Sequence, residues 1–171
     1  MKVIRGRVWK FGDNVNTDLM SPGFAYSMPW EQYKRMILHT HPVFTQQAKP
    51  GDIIVAGNNW GCGSSREKAI TNLKKLGISC DIAESFARIY FRNGIAFGLP
   101  NIICPGVSRA FQEGDELELE LESGRVRNLT EGIELKGEQL PELLLTILNS
   151  GGIISFLAQG LGSTPDPDTG S

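Results

Sequence analysis

A glycine-rich stretch between an apolar run and a helical pattern constrains this chain more than any other feature. Residues 52–56, Asp-Ile-Ile-Val-Ala, have the length and composition of a buried strand. Apolar residues then recur at helical spacing from Ala69 to Leu76, and Gly77 ends the pattern. Residues 57–67, Gly-Asn-Asn-Trp-Gly-Cys-Gly-Ser-Ser-Arg-Glu, are therefore predicted to form a loop that leads from a strand into a helix.

The end of this loop has the features of an anion-binding site. Ser64 is a suitable N-cap, and Glu67 three residues later completes a capping box. The glycines let the backbone approach a ligand closely, and the free amides and positive dipole end of a helix favour an anion. Arg66 adds a guanidinium group that binds a carboxylate through two hydrogen bonds. A purely structural turn is the alternative, and the spacing of neither a P-loop nor a dinucleotide fingerprint is present.

The loop belongs to a predicted βαβ unit of an α/β fold. Residues 78–83 read as the next strand, which places it parallel to the first with a right-handed connection. Ser85 is predicted to cap a second helix over residues 86–96, and residues 102–104 read as a third strand. Ligands of open α/β sheets bind beyond the carboxyl ends of the strands. The glycine-rich loop and the turn at residues 84–85 both lie at such ends.

The N-terminal part contains shorter elements. Residues 2–11 read as one strand, or as two with a bulge at a glycine, and residues 12–17 as a turn-rich loop. Residues 19–29 contain two prolines and a glycine, which argues against a helix or a central strand. Residues 30–38 have the spacing of a short amphipathic helix.

The C-terminal part reads as a hairpin followed by a helix. Leucines alternate with acidic residues over 115–122, which predicts a half-buried strand at a solvated edge. A turn at residues 123–124 brings Arg125 and Arg127 opposite the glutamates. Pro141 is predicted to occupy the first position of a final helix. The domain is expected to span residues 1–159, and the polar remainder, residues 160–171, to be a disordered tail.

Composition excludes several function classes. The chain has 171 residues, 40% hydrophobic residues and a net charge of −2, so there is no electrostatic case for nucleic acid or an anionic membrane as partner. The first residues lack an apolar signal core, which predicts a cytoplasmic protein. Residues 143–158 are too short and too interrupted for a membrane span.

The cysteines do not form a recognisable metal or disulfide pattern. Cys62, Cys80 and Cys104 are odd in number and widely spaced. Cys80 and Cys104 lie in apolar runs, where a thiol usually behaves as a small hydrophobic group. We therefore expect no metal and no cofactor on this chain.

Four sequence blocks resemble one known family. These are residues 12–18 followed by Pro22, residues 61–67, residues 85–94 and residues 98–100. In this order they resemble the swivel domain of the aconitase superfamily, and most of all the small subunit of isopropylmalate dehydratase. The resemblance covers about residues 3–158. It implies a swivelling three-layer β/β/α domain with a βαβ core and a mixed sheet.

The resemblance also implies a reaction and roles for individual residues. The family moves a hydroxyl group of a 2-hydroxy dicarboxylic acid by dehydration and rehydration, here between 3-isopropylmalate and 2-isopropylmalate in leucine biosynthesis. Ser64 matches the position of the catalytic base, and Asp18 a second active-site position. The implied substrate-binding residues are Gly63, Ser65 and Arg66 for the carboxylate, and Phe24 and Tyr26 for the variable part of the substrate.

The cofactor and the partner follow from the same resemblance. The family carries its 4Fe-4S cluster on a separate large subunit, so the chain is expected to act in a heterodimer or heterotetramer and to be inactive alone. Residues 23–26, Gly-Phe-Ala-Tyr, depart from the Arg-Tyr-Leu-like continuation of the family, and no cation follows until Lys34. A homoaconitase-like or citramalate-type dehydratase is therefore the alternative. A non-catalytic anion- or nucleotide-binding module is the alternative from another class, although it does not explain all four blocks.

Overall fold

The computed structural model describes residues 2–41, 43–63 and 67–161, and these residues form one mixed sheet of seven strands. The strands are β1 (Val3–Lys10), β2 (Ile53–Ala56), β3 (Cys80–Ala83), β4 (Asn101–Ile103), β5 (Glu116–Glu120), β6 (Arg125–Asn128) and β7 (Ile133–Lys136). Their order is β4-β3-β2-β1-β5-β6-β7. The half from β4 to β1 is parallel and the half from β1 to β7 is antiparallel. The predicted α/β class with a mixed sheet is confirmed.

Helices connect the strands. They are α1 (Thr17–Met20), α2 (Trp30–Tyr33), α3 (Phe44–Gln47), α4 (Lys68–Lys75), α5 (Arg88–Ala96), α6 (Val107–Ala110), α7 (Glu142–Asn149) and α8 (Ile153–Leu161). Two 3₁₀ turns, Gly23–Ala25 and Lys34–Met36, complete the segment between α1 and α3. In the described part of the chain no single helix is long and apolar enough to cross a membrane; α7 and α8 meet that criterion only as a pair, bent by 91°.

The predicted βαβ unit is present. β2 pairs in parallel with β3, with Ile53 opposite Cys80, and α4 connects them. Alternate residues of β2 face opposite cores: Ile53 and Val55 face one, Ile54 and Ala56 the other. Because a parallel strand is covered on both faces, all four residues are buried, as their apolar run predicts.

The sheet curls so that its antiparallel half covers one face of its parallel half. Leu117 and Val126 from the antiparallel half share a core with Val55 and Ile82 from the parallel half. Just after β7, the amide of Glu138 donates to the carbonyl of Ile103 at 2.7 Å, which brings the two ends of the sheet together. Helix α4 packs on the other face of β2. The arrangement is the expected β/β/α layering.

Several local predictions are wrong. Residues 19–29, predicted to be non-helical, contain the end of α1 and a 3₁₀ turn. Helix α5 begins at Arg88 rather than at residue 86, and Ser85 does not cap it. Helix α4 begins at Lys68 with Glu67 at its N-cap position, and Ser64 of the predicted capping box lies outside the described residues. Pro141 is the N-cap of α7 rather than its first residue.

The strand predicted at a solvated edge lies inside the sheet. β5 pairs with β1 on one side and β6 on the other. Glu118 is only 2% exposed. Its carboxylate forms ion pairs with Arg5 and Arg127 from the two neighbouring strands. The predicted pairing of arginines with glutamates across the hairpin is confirmed, because Arg127 lies opposite Glu118. At the C-terminus, α8 continues through Leu161, and residues 162–171 of the predicted tail lie outside the described residues.

Candidate active-site loops at the sheet edge

Three loops meet where the parallel strands β1, β2 and β3 end. They are residues 11–16, 57–63 and 84–87. Isolated parallel bridges join Asn16 to Cys62 and Trp60 to Phe86, so the middle loop is paired on both sides. The pairing of the strands thus continues beyond the sheet, at the edge where α/β folds bind their ligands.

Backbone hydrogen bonds attach the middle loop to the loop after β1. Donors and acceptors alternate along the two loops: the amide of Asn14 donates to Asn58 O at 2.8 Å, and the amide of Gly61 to Val15 O at 3.0 Å. The amide of Thr17 then donates to the carbonyl of Cys62 at 2.8 Å. Buried backbone polar groups need such partners. Loop 57–63 therefore has a defined backbone path up to the residue before Ser64.

Two glycines of the loop occupy positions at which a side chain would be strained. Gly61 has a φ of +78°, and a Cβ there would lie 2.1 Å from Cγ of Tyr90. Gly63 has a φ of +104°, and a Cβ there would lie 2.7 Å from Oδ1 of Asn16. Both angles lie in the left-handed region that favours glycine. Each of the two glycines thus lies against a side chain of a neighbouring element.

Polar side chains of the flanking loops complete the arrangement. Oδ1 of Asp13 accepts from the amide of Asn58 at 2.6 Å, and Oγ of Ser85 accepts from the amide of Asn59 at 2.8 Å. Ser85 therefore supports the neighbouring loop instead of capping its own helix. A second carboxylate, Glu84, accepts from the amides of Gly106 and Ser108 and from the Ser108 hydroxyl. Burial raises the pKa of Glu84, but these hydrogen bonds outweigh it and the pKa lies below its usual value.

Asp18 lies on the exposed side of the same edge. Oδ1 of Asn16 accepts from the amide of Asp18 at 2.7 Å and so caps α1. This is the oxygen that lies against Gly63, so the predicted residues Asp18 and Gly63 are brought together through Asn16. Asp18 also borders a depression of about 400 Å³, whose other lining residues are Pro22, Gly23 and Phe24.

The two predicted aromatic residues lie on the same side. The side chain of Phe24 is 71% exposed and that of Tyr26 is 40% exposed. The Tyr26 hydroxyl hydrogen-bonds to Oγ of Ser21 at 2.7 Å. Nζ of Lys68, at the start of α4, lies 3.8 Å from the centre of the Tyr26 ring. The Lys68 ammonium group is thus next to Tyr26. In the sequence, by contrast, the first basic residue after Tyr26 is Lys34.

Three of the predicted site residues, Ser64, Ser65 and Arg66, lie outside the described residues. Their neighbours Gly63 and Glu67 are described, and α1 packs against α4 beside them. Of the predicted residues that the structure describes, Asp18, Gly63, Phe24 and Tyr26 all lie at this edge or along its exposed side.

A buried polar cluster beneath the loop was missed in the sequence. Oδ2 of Asp81, in β3, accepts hydrogen bonds from the Tyr90 hydroxyl at 2.6 Å and from Nε1 of Trp60 at 3.2 Å. Burial raises the pKa of Asp81 to about 7, although both hydrogen bonds act to lower it. The sequence feature that could have revealed this cluster is an acidic residue inside an otherwise apolar strand.

The side chains of this chain do not suit an iron–sulfur cluster. Cys80 and Cys104 are buried in the core, where burial raises the pKa of each thiol and so disfavours the thiolate that a metal requires. Cys62, on loop 57–63, is partly exposed. Within residues 2–41, 43–63 and 67–161, no three His, Cys, Asp or Glu side chains are grouped as a metal site.

Comparison with known proteins identifies the family. The profile of the family described as the aconitase C-terminal domain matches residues 13–103, a range that contains loop 57–63 and the turn at 84–87. The chain belongs to this family. The chain also resembles a crystal structure of 3-isopropylmalate dehydratase from Methanocaldococcus jannaschii with a TM-score of 0.85 and 36% sequence identity, covering 94% of this chain and 96% of that chain.

Family members with assigned functions are similar along their whole length. The isopropylmalate/citramalate isomerase small subunit of Methanocaldococcus jannaschii is 51% identical, over 95% of this chain and 98% of the relative. The 3-isopropylmalate dehydratase small subunit of Aquifex aeolicus is 45% identical, over 93% and 96%. The methanogen homoaconitase small subunit of Methanothermobacter thermautotrophicus is 42% identical, over 98% of each chain. The expected family is confirmed, and its members differ in the substrate that they are named for.

Proposed function

We propose that this chain is the small subunit of a heteromeric hydro-lyase that interconverts 3-isopropylmalate and 2-isopropylmalate by dehydration and rehydration. The family match and the whole-length similarity to 3-isopropylmalate dehydratase small subunits support the reaction class. The observation that carries the site assignment is the close approach of Gly63 to Asn16, which caps α1, the helix that contains Asp18. Residues 64–66 follow Gly63 directly in the sequence, and in this proposal they act together with Asp18.

The proposed chemistry divides between the two subunits. The oxygen of Ser64 takes the proton from the carbon beside a carboxylate, the carbon–carbon double bond forms, and hydroxide leaves from the neighbouring carbon. The guanidinium of Arg66, the hydroxyl of Ser65 and the backbone at Gly63 hold the carboxylate as negative charge develops on it. Asp18 orders this end of the site. Rehydration in the other orientation returns the proton and completes the isomerisation.

The partner is a larger subunit that carries the 4Fe-4S cluster, since the cysteines of this chain do not suit one. When bound there, the cluster supplies the Lewis acid for the leaving hydroxyl group. Every relative named above by its subunit is a small subunit, which supports a two-subunit enzyme. The isolated chain is therefore expected to be inactive.

The exposed aromatic residues favour a substrate with an apolar tail. Phe24 borders the depression next to Asp18, and such a surface suits an isopropyl or methyl group. Citramalate is the second substrate, because the relative that is 51% identical is named for both activities. Lys68 beside Tyr26 is the feature that would suit a third carboxylate, as in a homoaconitase.

Reconstitution with the large subunit tests the proposal. Ser64→Ala is expected to abolish turnover of isopropylmalate while the complex and its iron content stay intact. Ser155→Ala, at an exposed position of α8, is the matched control and is expected to be neutral. Arg66→Lys is expected to raise KM more than it lowers kcat, because a lysine cannot make the two-point contact. Turnover by the wild-type chain without partner or iron would contradict the assignment, as would an active Ser64→Ala complex.

The substrate is tested in the same assay. Isopropylmalate, citramalate and homoaconitate are compared with the wild-type complex and with Phe24→Ala. The loss of kcat/KM in the variant is expected to be larger for isopropylmalate than for citramalate, since more apolar area is removed from water. Equal losses for both substrates would show that Phe24 does not contact the tail. Preferential turnover of homoaconitate would favour the alternative enzyme, and binding of nucleotides without turnover would favour a binding module.

A further inference from the structure

Asp81 is a carboxylic acid in the middle of a buried strand. Its side chain is 0% exposed, and its strand neighbours are Ile54 on one side and Asn101 on the other. Oδ2 accepts both of the hydrogen bonds described above, whereas Oδ1 has no hydrogen-bond partner among the described residues. A buried oxygen without a partner costs free energy. Stability alone therefore does not explain an acid at this position.

The two donors to Asp81 both touch the glycine-rich loop. Trp60 is part of the loop, and its amide and carbonyl bond to Ser85 and Ala87 on the neighbouring turn at 3.0 and 2.9 Å. The ring of Tyr90 lies directly beneath Gly61, so close that a Cβ on this glycine would lie 2.1 Å from the tyrosine Cγ. The Trp60 and Tyr90 rings are nearly perpendicular, with an interplanar angle of 83°. One carboxyl oxygen therefore sets the orientation of both rings under the loop.

The structure of this cluster points to a role in shaping the site. A leucine or isoleucine would fill the space in β3 without an unpartnered oxygen, but it would leave the Trp60 indole and the Tyr90 hydroxyl without their acceptor. Buried polar groups of this kind fix one arrangement of their neighbours at a cost in stability. We propose that Asp81 is a positioning residue that acts through Trp60 and Tyr90 to hold loop 57–63, which leads in the sequence to the proposed catalytic serine, in one arrangement. This inference rests on the function proposed above.

A second buried acid provides a matched control. Asp52 precedes β2, is 5% exposed and accepts from Nε1 of Trp9 at 2.7 Å, so it also holds an indole. It lies at the opposite end of β2 from loop 57–63. Asp81→Leu and Asp52→Leu each remove a buried carboxylate that accepts from a tryptophan indole. The first also leaves the Tyr90 hydroxyl without this acceptor, and the second the Lys49 amide and Arg7. Only the first of the two removes support from the loop.

The experiment uses the full chain, alone and in the reconstituted complex. By hydrogen exchange on the chain, the amides of residues 59–61 are expected to exchange at least about tenfold faster in Asp81→Leu than in Asp52→Leu, at conditions of equal global stability. In the complex, at saturating large subunit, kcat of Asp81→Leu is expected to fall roughly tenfold to a hundredfold, because small displacements of catalytic groups are costly. Asp81→Asn keeps an acceptor oxygen and is expected to restore most of kcat and the loop protection.

A further variant covers the case in which Asp81→Leu does not fold. Tyr90→Phe keeps the ring beneath Gly61 but removes the hydroxyl donor, and it is expected to raise loop exchange and lower kcat in the same direction. Equal loop exchange and kcat in the Asp81 and Asp52 variants would overturn the proposal, as would an Asp81→Asn protein that is no better than Asp81→Leu. If the wild-type complex is inactive on every diacid, the proposed function fails, while the exchange measurements still decide the role of Asp81.

Discussion

The protonation of Asp81 should make the stability of this protein depend on pH in a direction opposite to that of most carboxylates. Desolvation by burial raises the pKa of Asp81 from 3.8 to about 7, against the lowering effect of the Tyr90 and Trp60 hydrogen bonds. Between these two pH values the folded chain binds a proton that the unfolded chain has released. The stabilisation is therefore complete below the unfolded pKa and is lost as the pH rises to the folded pKa.

The size of the effect follows from the two pKa values. The interval from 3.8 to about 7, at about 1.36 kcal/mol for each pH unit, corresponds to about 4 kcal/mol over the whole range. Only part of this range is accessible to a neutral-pH experiment. Between about pH 5 and pH 8 the change in the free energy of unfolding amounts to roughly 2–3 kcal/mol.

Urea unfolding of the wild type and of Asp81→Asn over this pH range measures the effect. Asparagine carries no titratable proton, so the difference between the two proteins isolates Asp81 from the other carboxylates and the histidines. We expect the free energy of unfolding of Asp81→Asn to rise relative to that of the wild type as the pH rises. Both proteins should unfold in single cooperative transitions. A difference that stays flat from about pH 5 to pH 8, or that moves in favour of the wild type at high pH, would refute the reasoning.

Three substitutions test other parts of the structure. Gly61→Ala places a methyl group on the Tyr90 ring at a positive φ, and urea unfolding should show a loss of about 2–4 kcal/mol. Glu84→Gln removes a charged acceptor that is partly open to solvent, and the same assay near neutral pH should show a loss of about 0.5–1 kcal/mol. A pH series should show this difference disappearing as the pH falls below the usual glutamate pKa. Arg127→Ala leaves the buried Glu118 with only one of its two arginine partners, and the same assay should show a loss of about 3 kcal/mol. Losses below about 0.5 kcal/mol would contradict each of these expectations.

The parallel half of the fold was predictable because its local signals agree. The apolar run of β2, the glycines of the loop and the helical spacing of α4 each indicate one element, and the order strand–helix–strand restricts the topology. The loop at the carboxyl end of β2 was identified as the candidate site on this basis. Agreement between independent local signals is what makes such a prediction hold.

The antiparallel half shows what local patterns leave open. Alternation in β5 reveals which residues face the core, but not how many strands lie beside it. Glu118 is tolerated inside the sheet because arginines arrive from both neighbouring strands. The edge strand β7 and the helices α3 and α6 have four residues each and were missed. Elements this short depend on tertiary contacts more than on their own propensity.

Roles of polar residues at the site were harder to predict than their position. Ser85 has the sequence context of an N-cap, yet its hydroxyl supports Asn59 on the neighbouring loop. Lys68 reaches Tyr26 only through the packing of α4 against the segment after α1. The cluster of Asp81, Trp60 and Tyr90 is spread over three elements. Contacts between distant parts of the chain leave no periodic signal in the sequence.

The buried cluster beneath loop 57–63 and the exposed aromatic ring beside it both follow from the way in which β1, β2 and β3 end. Because β1, β2 and β3 end at the same edge, their loops satisfy each other's backbone groups, and Trp60 is free to bond inward to Asp81. The side chains that remain on the outer side include an aromatic ring, Phe24, that is 71% exposed. Exposed apolar area of this kind is stabilised when a partner or ligand removes it from water. In the proposed enzyme the large subunit and the substrate tail remove it from water, which accounts for an exposed aromatic ring beside a loop whose own backbone groups are hydrogen-bonded.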